Sequence, residues 1–397
     1  MSLPLEGRRV LDLSVALAGP WCTHVLASMG AEVIKIEPLG GDETRTVGPP
    51  FWGSESPLFL AANSAKRSVA IDLASEDGQK LVGRLAVGCD VFVQNLRPGT
   101  VGRLRLDCES LRRLNPEIVY CNIGAFGHSG PLKDRPGYDL LMQAVAGVMS
   151  TTGEADGPPL RSGPPIVDLG TGMWAAIGIL GALLAREQDG KGRLVDTSLF
   201  ETAVNWHPIQ FAQYEASGEL PPRLGRSGNI LVPFEVLPTA DGELVVTAGN
   251  DRLFERLCAV LDRADLAADP RFADNSARVE NRAALALALG EELKRQSSAT
   301  WMERFVPAGI PAGEVNDLAE VVADPQFNAL GMFAELEHPT IPDLKVIAPP
   351  ISYDGERLPV SRPAPALGAD TAEVLGALGI GAEEIEDMLS RGLIRTS

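Results

Sequence analysis

The first 37 residues constrain the fold of this chain more than any other stretch. Val10–Leu13 (VLDL) reads as a short buried strand. Ala18-Gly19-Pro20 then turns the chain, with Pro20 well placed at the first helical position, and the following helix runs to about Met29, where Gly30 stops it. Ala31–Glu37 (AEVIKIE) reads as a second strand. Strand, helix and strand in this order form a βαβ unit, which implies parallel strands joined by a right-handed crossover.

The alternation continues. Ser68–Leu73 is a candidate strand, Asp77–Leu85 is helical in period, and Val91–Asn95 is another strand. A helix over about Cys108–Leu114 leads to the apolar strand Ile118–Ile123. A glycine- and proline-rich loop, 124–139, follows, and loops of that length in compact domains are usually functional. A helix over Leu140–Met149, a second Gly/Pro-rich loop (151–167) and a buried apolar helix (172–187) complete this half.

The texture loosens over 215–231, marking a domain boundary. Beyond it, PFEVLPTADGELVVTAGN reads as a hairpin turning at Asp241-Gly242, and helical segments follow to about Phe305. The tail 342–397 is rich in proline before a short acidic helix, which suits an extended strap across a surface. The expected fold class is therefore α/β: a large Rossmann-like parallel-sheet domain from residues 1–200, closed by 330–397, and a smaller α+β domain over 225–325. Residues 201–224 and 326–341 are read as linkers. No internal repeat is present.

Composition narrows the function. Of 397 residues 45% are apolar and 22% charged, enough for a large core without a stapling metal. A net charge of −18 argues against nucleic acid and anionic membrane as partners. A polyanionic small ligand would need a local cluster of Arg and Lys. The five cysteines (22, 89, 108, 121, 258) and four histidines (24, 128, 207, 338) show no paired spacing for zinc or disulfides, which fits a reducing, cytoplasmic setting. The N-terminus lacks a secretory pattern. The uncharged run between Asp168 and Arg186 falls short of the ~20 residues that cross a bilayer, so it reads as a core helix.

A dinucleotide site is the first reading of a βαβ opening, and Glu37 stands where an acidic residue would hold a ribose. The turn, however, holds only Gly19 followed by Pro20 rather than G-x-G-x-x-G. Side chains and a proline would occupy the space a pyrophosphate needs, which argues against a nicotinamide cofactor.

Seven segments, in order along nearly the whole chain, resemble the family III CoA-transferases. They are LAGPWCTHVLASMGAEVIKIEP (17–38), GGDETR (40–45), NSAKRSVAIDL (63–73), QNLRPG (94–99), DRPGYDLLMQAVAG (134–147), VDLGTGMWAAIGILGALLAR (167–186) and TAEVLGALGIGAEEIEDML in the tail. The resemblance implies a CoA-transferase with coenzyme A as substrate and product, an acyl-CoA donor, a carboxylic or dicarboxylic acid acceptor and no metal. It also implies an interlocked homodimer.

Within that resemblance Asp168 falls on the family's nucleophilic aspartate. From the residues alone, an aspartate between a Gly/Pro loop and an apolar helix is a favoured N-cap, stabilised by free N–H groups and the helix dipole. Both roles stay open at this level. The stripe Ala175, Gly178, Ala182 and Ala185 lets the helix pack closely and holds Asp168 still. Asn95, Leu96, Arg97 and Arg103 follow a strand at the end where ligands of parallel sheets sit, and the resemblance brings Asn95, Arg97 and Arg103 to CoA. It adds Leu17, Ala18, Leu73, Ala74, Arg135 and Tyr138 to the CoA groove. Arg45, Lys66 and Arg67 are further cationic candidates, with solvated surface arginine or lysine as the plain alternative.

Leu17 and Pro38 replace a glutamine and an arginine of the oxalate-handling members. Their Gly-rich flap corresponds to 215–231, where Gly218, Gly225 and Gly228 are scattered. The related acyl-CoA racemases carry histidine where Tyr138 stands, and a tyrosine is a poor second base for proton transfer. His128, ten residues upstream, is an alternative base but reads better as a loop histidine. Transfer of CoA is the leading expectation, racemisation of an acyl-CoA the second, and a non-catalytic CoA-binding protein the third.

Overall fold

The strands of the opening βαβ unit become the centre of a sheet whose two faces are both covered. In the computed structural model, which describes residues 2–397, the strands are β1 (Arg9–Asp12), β2 (Glu32–Glu37), β3 (Lys66–Ile71), β4 (Val91–Gln94), β5 (Val119–Gly124) and β6 (Leu194–Ser198). They lie in the order β3-β2-β1-β4-β5-β6, all parallel, and a final strand, Ile394–Arg395, pairs antiparallel with β3. In register, Val10 faces Val33 on one side and Val91 on the other. The strand order reverses between β1 and β4, and ligands of open α/β sheets bind outside the carboxyl ends of the strands at such a point.

Strand periodicity explains the two cores. Val10, Val33, Val91, Val93, Val119 and Cys121 point to one face, while Leu11, Ile34, Phe92 and Tyr120 point to the other, and all are buried. On the first face lie helix α1 (Ala18–Ser28) and the long helix Ile166–Asp189. The helices Glu76–Val87, Cys108–Leu114 and Thr371–Ala377 cover the second. Pro20 falls in the first turn of α1, where the missing N–H costs no helical bond.

The long helix is apolar and long enough to cross a membrane by length and hydropathy. It is instead a core helix on one side: Ala175 and Ile179 are fully buried, and a side chain at Gly178 would press on Val195 of β6. It begins six residues before the 172–187 read from sequence.

Two compact units emerge: 1–148, 161–216 and 329–397 form the first, and 149–160 with 217–328 the second. In the second, strands Phe234–Pro238, Glu243–Thr247 and Ala312–Glu314 make an antiparallel sheet whose hairpin turns at Asp241-Gly242. Its core gathers Leu244, Val246, Leu285, Leu289, Trp301 and Phe305. The stretch 201–224, expected as a linker, is largely helical, carrying most of Leu199–Asn205 and Pro208–Ser217. The stretch 326–341 holds the end of a short helix and the strand Phe333–Leu336. The tail is less of a strap than its prolines suggest. Gly368 and Asp370 bond to Ser68 of β3, and the tail's last strand extends the large sheet.

Candidate active site

The loop from β1 into α1 is held almost entirely by side chains. The Asp12 carboxylate accepts from Ser14 N (2.9 Å), Thr23 Oγ1 (2.6 Å) and Lys66 Nζ (3.0 Å). Lys35 Nζ donates to Ser14 O at 2.9 Å, and Lys66 Nζ also donates to Pro20 O and Asn63 Oδ1, each at 2.9 Å. Burial works against the Asp12 carboxylate, but Lys66 and Lys35 overcome it and hold it at about 2. Burial in turn draws the Lys66 ammonium down to about 8 despite Asp12. Lys66 spends its three donors inside the fold, so it is a structural cation rather than a CoA ligand.

Arg45 and Arg67 share that fate. Arg45 makes a two-pronged bond to Glu37 (2.7 and 2.8 Å) and stacks 3.8 Å over Phe59. Arg67 reaches Glu32, Asp370 and Glu373. Glu37, at the ribose position of a dinucleotide fold, accepts from Arg45, Ser68 Oγ and Asp42 N, so its oxygens are satisfied within the protein.

Asn95 joins the ends of β1 and β4. Its Nδ2 donates to Val15 O at 2.7 Å and its Oδ1 accepts from Val15 N at 2.8 Å, copying a strand pairing with a side chain. The next residue, Ala16, is held at φ 62°, a left-handed conformation that costs a residue with a Cβ. Gly19 is required here for packing: a Cβ would run into Ser14 and come within 3.3 Å of Asn95. Gly19, the residue after Ala18, therefore meets Asn95 at the switch point.

The turn Asn95–Gly99 continues into a single helical turn, Thr100–Arg103. Leu96 N donates to Gln94 Oε1. Arg97 and Arg103 are exposed and pair with no acid among the described residues, and Arg103 donates to Thr100 Oγ1. Leu73 and Ala74 leave the end of β3, with Leu73 packed on the second core and Ala74 exposed. Arg135 is exposed above Phe126, Tyr138 is 69% exposed, and His128 lies on the surface of its loop.

Asp168 lies in the first turn of the long helix, third after the start at Pro165–Ile166. It does not cap that helix, contrary to the local alternative. The cap comes from Asp139, whose Oδ2 accepts from Val167 N (2.8 Å) and Asp168 N (3.1 Å). Ile166 N and Leu169 N bond to Pro164 O and Pro165 O, so the free N–H groups expected to stabilise Asp168 are already engaged. The Asp168 carboxylate, half-buried, has no hydrogen-bond donor and no cation beside it among the described residues. Burial and the neighbouring Asp139 push its pKa up to about 7.

One turn further on, Gly172 brings the long helix against Ala18, Trp21 and Cys22 of α1, and Gly170 lies against Thr202 and Trp206. Asp168 thus lies one turn before the residue that packs on Ala18, Trp21 and Cys22 of α1. The sequence reading missed Asp139 and its partner Gln143. Their spacing of four on a helix was the available signal, since such a pair can bond side chain to side chain.

Residues 5–371 match CoA-transferase family III. The chain is 37% identical over 393 residues to the succinyl-CoA:glutarate CoA-transferase of Homo sapiens, covering 98% of this chain and 90% of that protein. It is 39% identical over 331 residues to the acetyl-CoA:oxalate CoA-transferase of Acetobacter aceti, covering 83% and 85%. A crystal structure of a CAIB/BAIF family protein from Brucella suis superposes with a TM-score of 0.85 at 38% identity, covering 95% of this chain and all of that one. The pattern of residues, the parallel sheet and the whole-length likeness agree, and the chain belongs to the family III CoA-transferases.

Proposed function

We propose that this acyl-CoA:carboxylate CoA-transferase carries CoA between dicarboxylic acids through a thioester on Asp168. One observation carries the reading: a half-buried carboxylate, in the first turn of the long core helix, with no hydrogen-bond donor or cation beside it among the described residues. A carboxylate kept out of water with nothing to compensate it is costly unless it is used. The substrate class is supported by the relatives, named for glutarate and for oxalate. Leu17 in place of glutamine speaks against oxalate itself for this chain.

In the cycle, an Asp168 oxygen attacks the carbonyl of the donor thioester. The C–S bond breaks, giving a mixed anhydride and CoA thiolate. The thiolate attacks the aspartyl carbonyl, the anhydride C–O bond breaks, and the donor acid leaves as carboxylate. The acceptor carboxylate then attacks the aspartyl thioester, and the released thiolate attacks the acceptor's carbonyl to restore Asp168. Protons balance throughout, because every nucleophile and leaving group is an anion.

In this reading CoA lies at the switch point, along Leu17, Ala18, Asn95 and Leu96. Arg97 and Arg103 meet its phosphates, while Leu73, Ala74, Arg135 and Tyr138 line the rest of the groove. The enzyme works as a cytoplasmic homodimer. Its free cysteines and the exposed apolar side of the long helix (Met173, Trp174, Ile177, Leu184) support that assignment.

The test is trapping. After incubation with succinyl-CoA and treatment with hydroxylamine or borohydride, mass spectrometry should find modified Asp168. The label should vanish in Asp168→Ala. An unlabelled Asp168 with turnover intact sinks the covalent route.

A further inference from the structure

We propose that Asp139, acting with Gln143, is a positioning residue for the transfer reaction, holding the backbone of Asp168 and setting its charge environment. The proposal rests on Asp168 being the nucleophile. It starts from a helix that cannot cap itself. The long helix begins after Pro164 and Pro165, and its N-cap position, Pro165, has no side-chain acceptor. Two first-turn N–H groups, at Val167 and Asp168, are bound by the Asp139 carboxylate across 28 and 29 residues of sequence.

The other side of Asp139 is anchored as well. Its Oδ1 accepts from Gln143 Nε2 at 2.6 Å, and Gln143 Oε1 accepts from Ser162 N at 2.8 Å. Gln143 is fully buried and Asp139 nearly so. Asp139 and Gln143 therefore tie the segment at Ser162, the short helix Asp139–Val145 and the first turn of the long helix into one unit around Asp168.

Two consequences follow. With the N–H groups taken by Asp139, the Asp168 carboxylate is not drawn back onto its own helix, and its lone pairs stay open to an acyl carbon. Asp139 also places a second negative charge beside the nucleophile, and among the described residues it is the charged group that bears on Asp168. The neighbours of Gly170 and Gly172 on the same helix are uncharged: Ala18, Trp21 and Cys22 of α1, and Thr202 and Trp206. Acylation neutralises Asp168, so repulsion present in the resting enzyme is released as the aspartyl bond forms. Asp139 thereby favours the covalent states over the free carboxylate.

The experiment compares the full-length enzyme with Asp139→Asn and Gln143→Met, using succinyl-CoA with glutarate. Asp139→Asn keeps an acceptor for the helix but loses the charge. The acid-side midpoint of its kcat/KM profile should fall by about 1 pH unit, and kcat on the alkaline plateau by about 10-fold. Gln143→Met keeps the charge and loosens the anchor, so kcat should fall while the midpoint stays. A purely structural Asp139 would lower thermal stability and leave the midpoint in place, which overturns the proposal. Should Asp139→Asn not fold, a Gln143→Met enzyme with wild-type kcat overturns it equally. Trapping on the wild-type enzyme separates the two levels: no label on Asp168 defeats the nucleophile, whereas a label with an unmoved Asp139→Asn midpoint defeats only the role of Asp139.

Discussion

A side-chain carbon on Gly172 would lie 2.6 Å from the carbonyl oxygen of Ala18 and 3.0 Å from the amide nitrogen of Cys22. Backbone cannot yield as a flexible side chain can, so the long helix and α1 meet here only because residue 172 has no Cβ. Gly172→Ala should cost about 1–3 kcal/mol in denaturant unfolding and reduce activity, since it pushes the Asp168 turn away from Leu17 and Ala18. Gly181, on the same helix with nothing near it, is the control. Gly181→Ala should gain up to about 1 kcal/mol and leave activity alone.

Stability should depend on pH through Asp168. Its proton is held more tightly in the fold, at about 7 against an ordinary 3.8. Well below pH 3.8 the group is neutral in both states and costs nothing. As pH rises toward 7 the unfolded chain ionises first, and the fold loses stability until the folded group ionises too. Asp168→Asn should therefore stabilise the protein by about 2 kcal/mol at pH 8, a figure discounted for partial solvent access, and by little at pH 4.5. Equal gains at both values would show that ionisation is not the cause.

The same group should shape the rate. A nucleophilic carboxylate must be ionised, so kcat/KM in the acyl-CoA donor should climb tenfold per unit below a midpoint near pH 7 and level off above it. A profile flat from pH 5 to 8 would contradict this.

Asn95 closes the loop before α1 with two bonds to Val15. Asn95→Ala should loosen this loop and raise KM for the CoA thioester about 10-fold, through lost positioning rather than lost contacts to CoA. Global stability should fall by less than for the Gly172 variant. Product inhibition by free CoA reads the same change independently.

The cations near the switch point should divide into two kinds. Lys66→Met removes the cation hydrogen-bonded to Asp12 in a fully buried setting, leaving Lys35, and should cost about 3–5 kcal/mol, with poor recovery of folded protein. Arg97→Ala and Arg103→Ala remove exposed guanidiniums that pair with no acid among the described residues, so unfolding should be unchanged while KM for acyl-CoA rises. Comparable melting losses in all three would erase the distinction.

Strand and helix order in the first half was legible because periodicity and Gly/Pro punctuation are local. β1, β2, β4 and β5 lie within a residue or two of their sequence readings. β6 was not seen: LVDTS carries few apolar residues and is only partly buried, so no alternation announces it. Asp168 stood out through the ordered family segments, each short but together spanning the chain. Charge partners were another matter. Lys66 reads as a free cation until Asp12, 54 residues away, is found against it, and Arg67 until the fold brings up Asp370.

Local order thus set the strands and the helices, because each depends on neighbours within a few residues. Tertiary structure alone decided which cations are spent in the core and which stay exposed. It also decided that Asp139, rather than Asp168, caps the long helix. Hydrogen bonds and ion pairs form between atoms adjacent in space, and the chain path that makes them adjacent is a property of the whole fold.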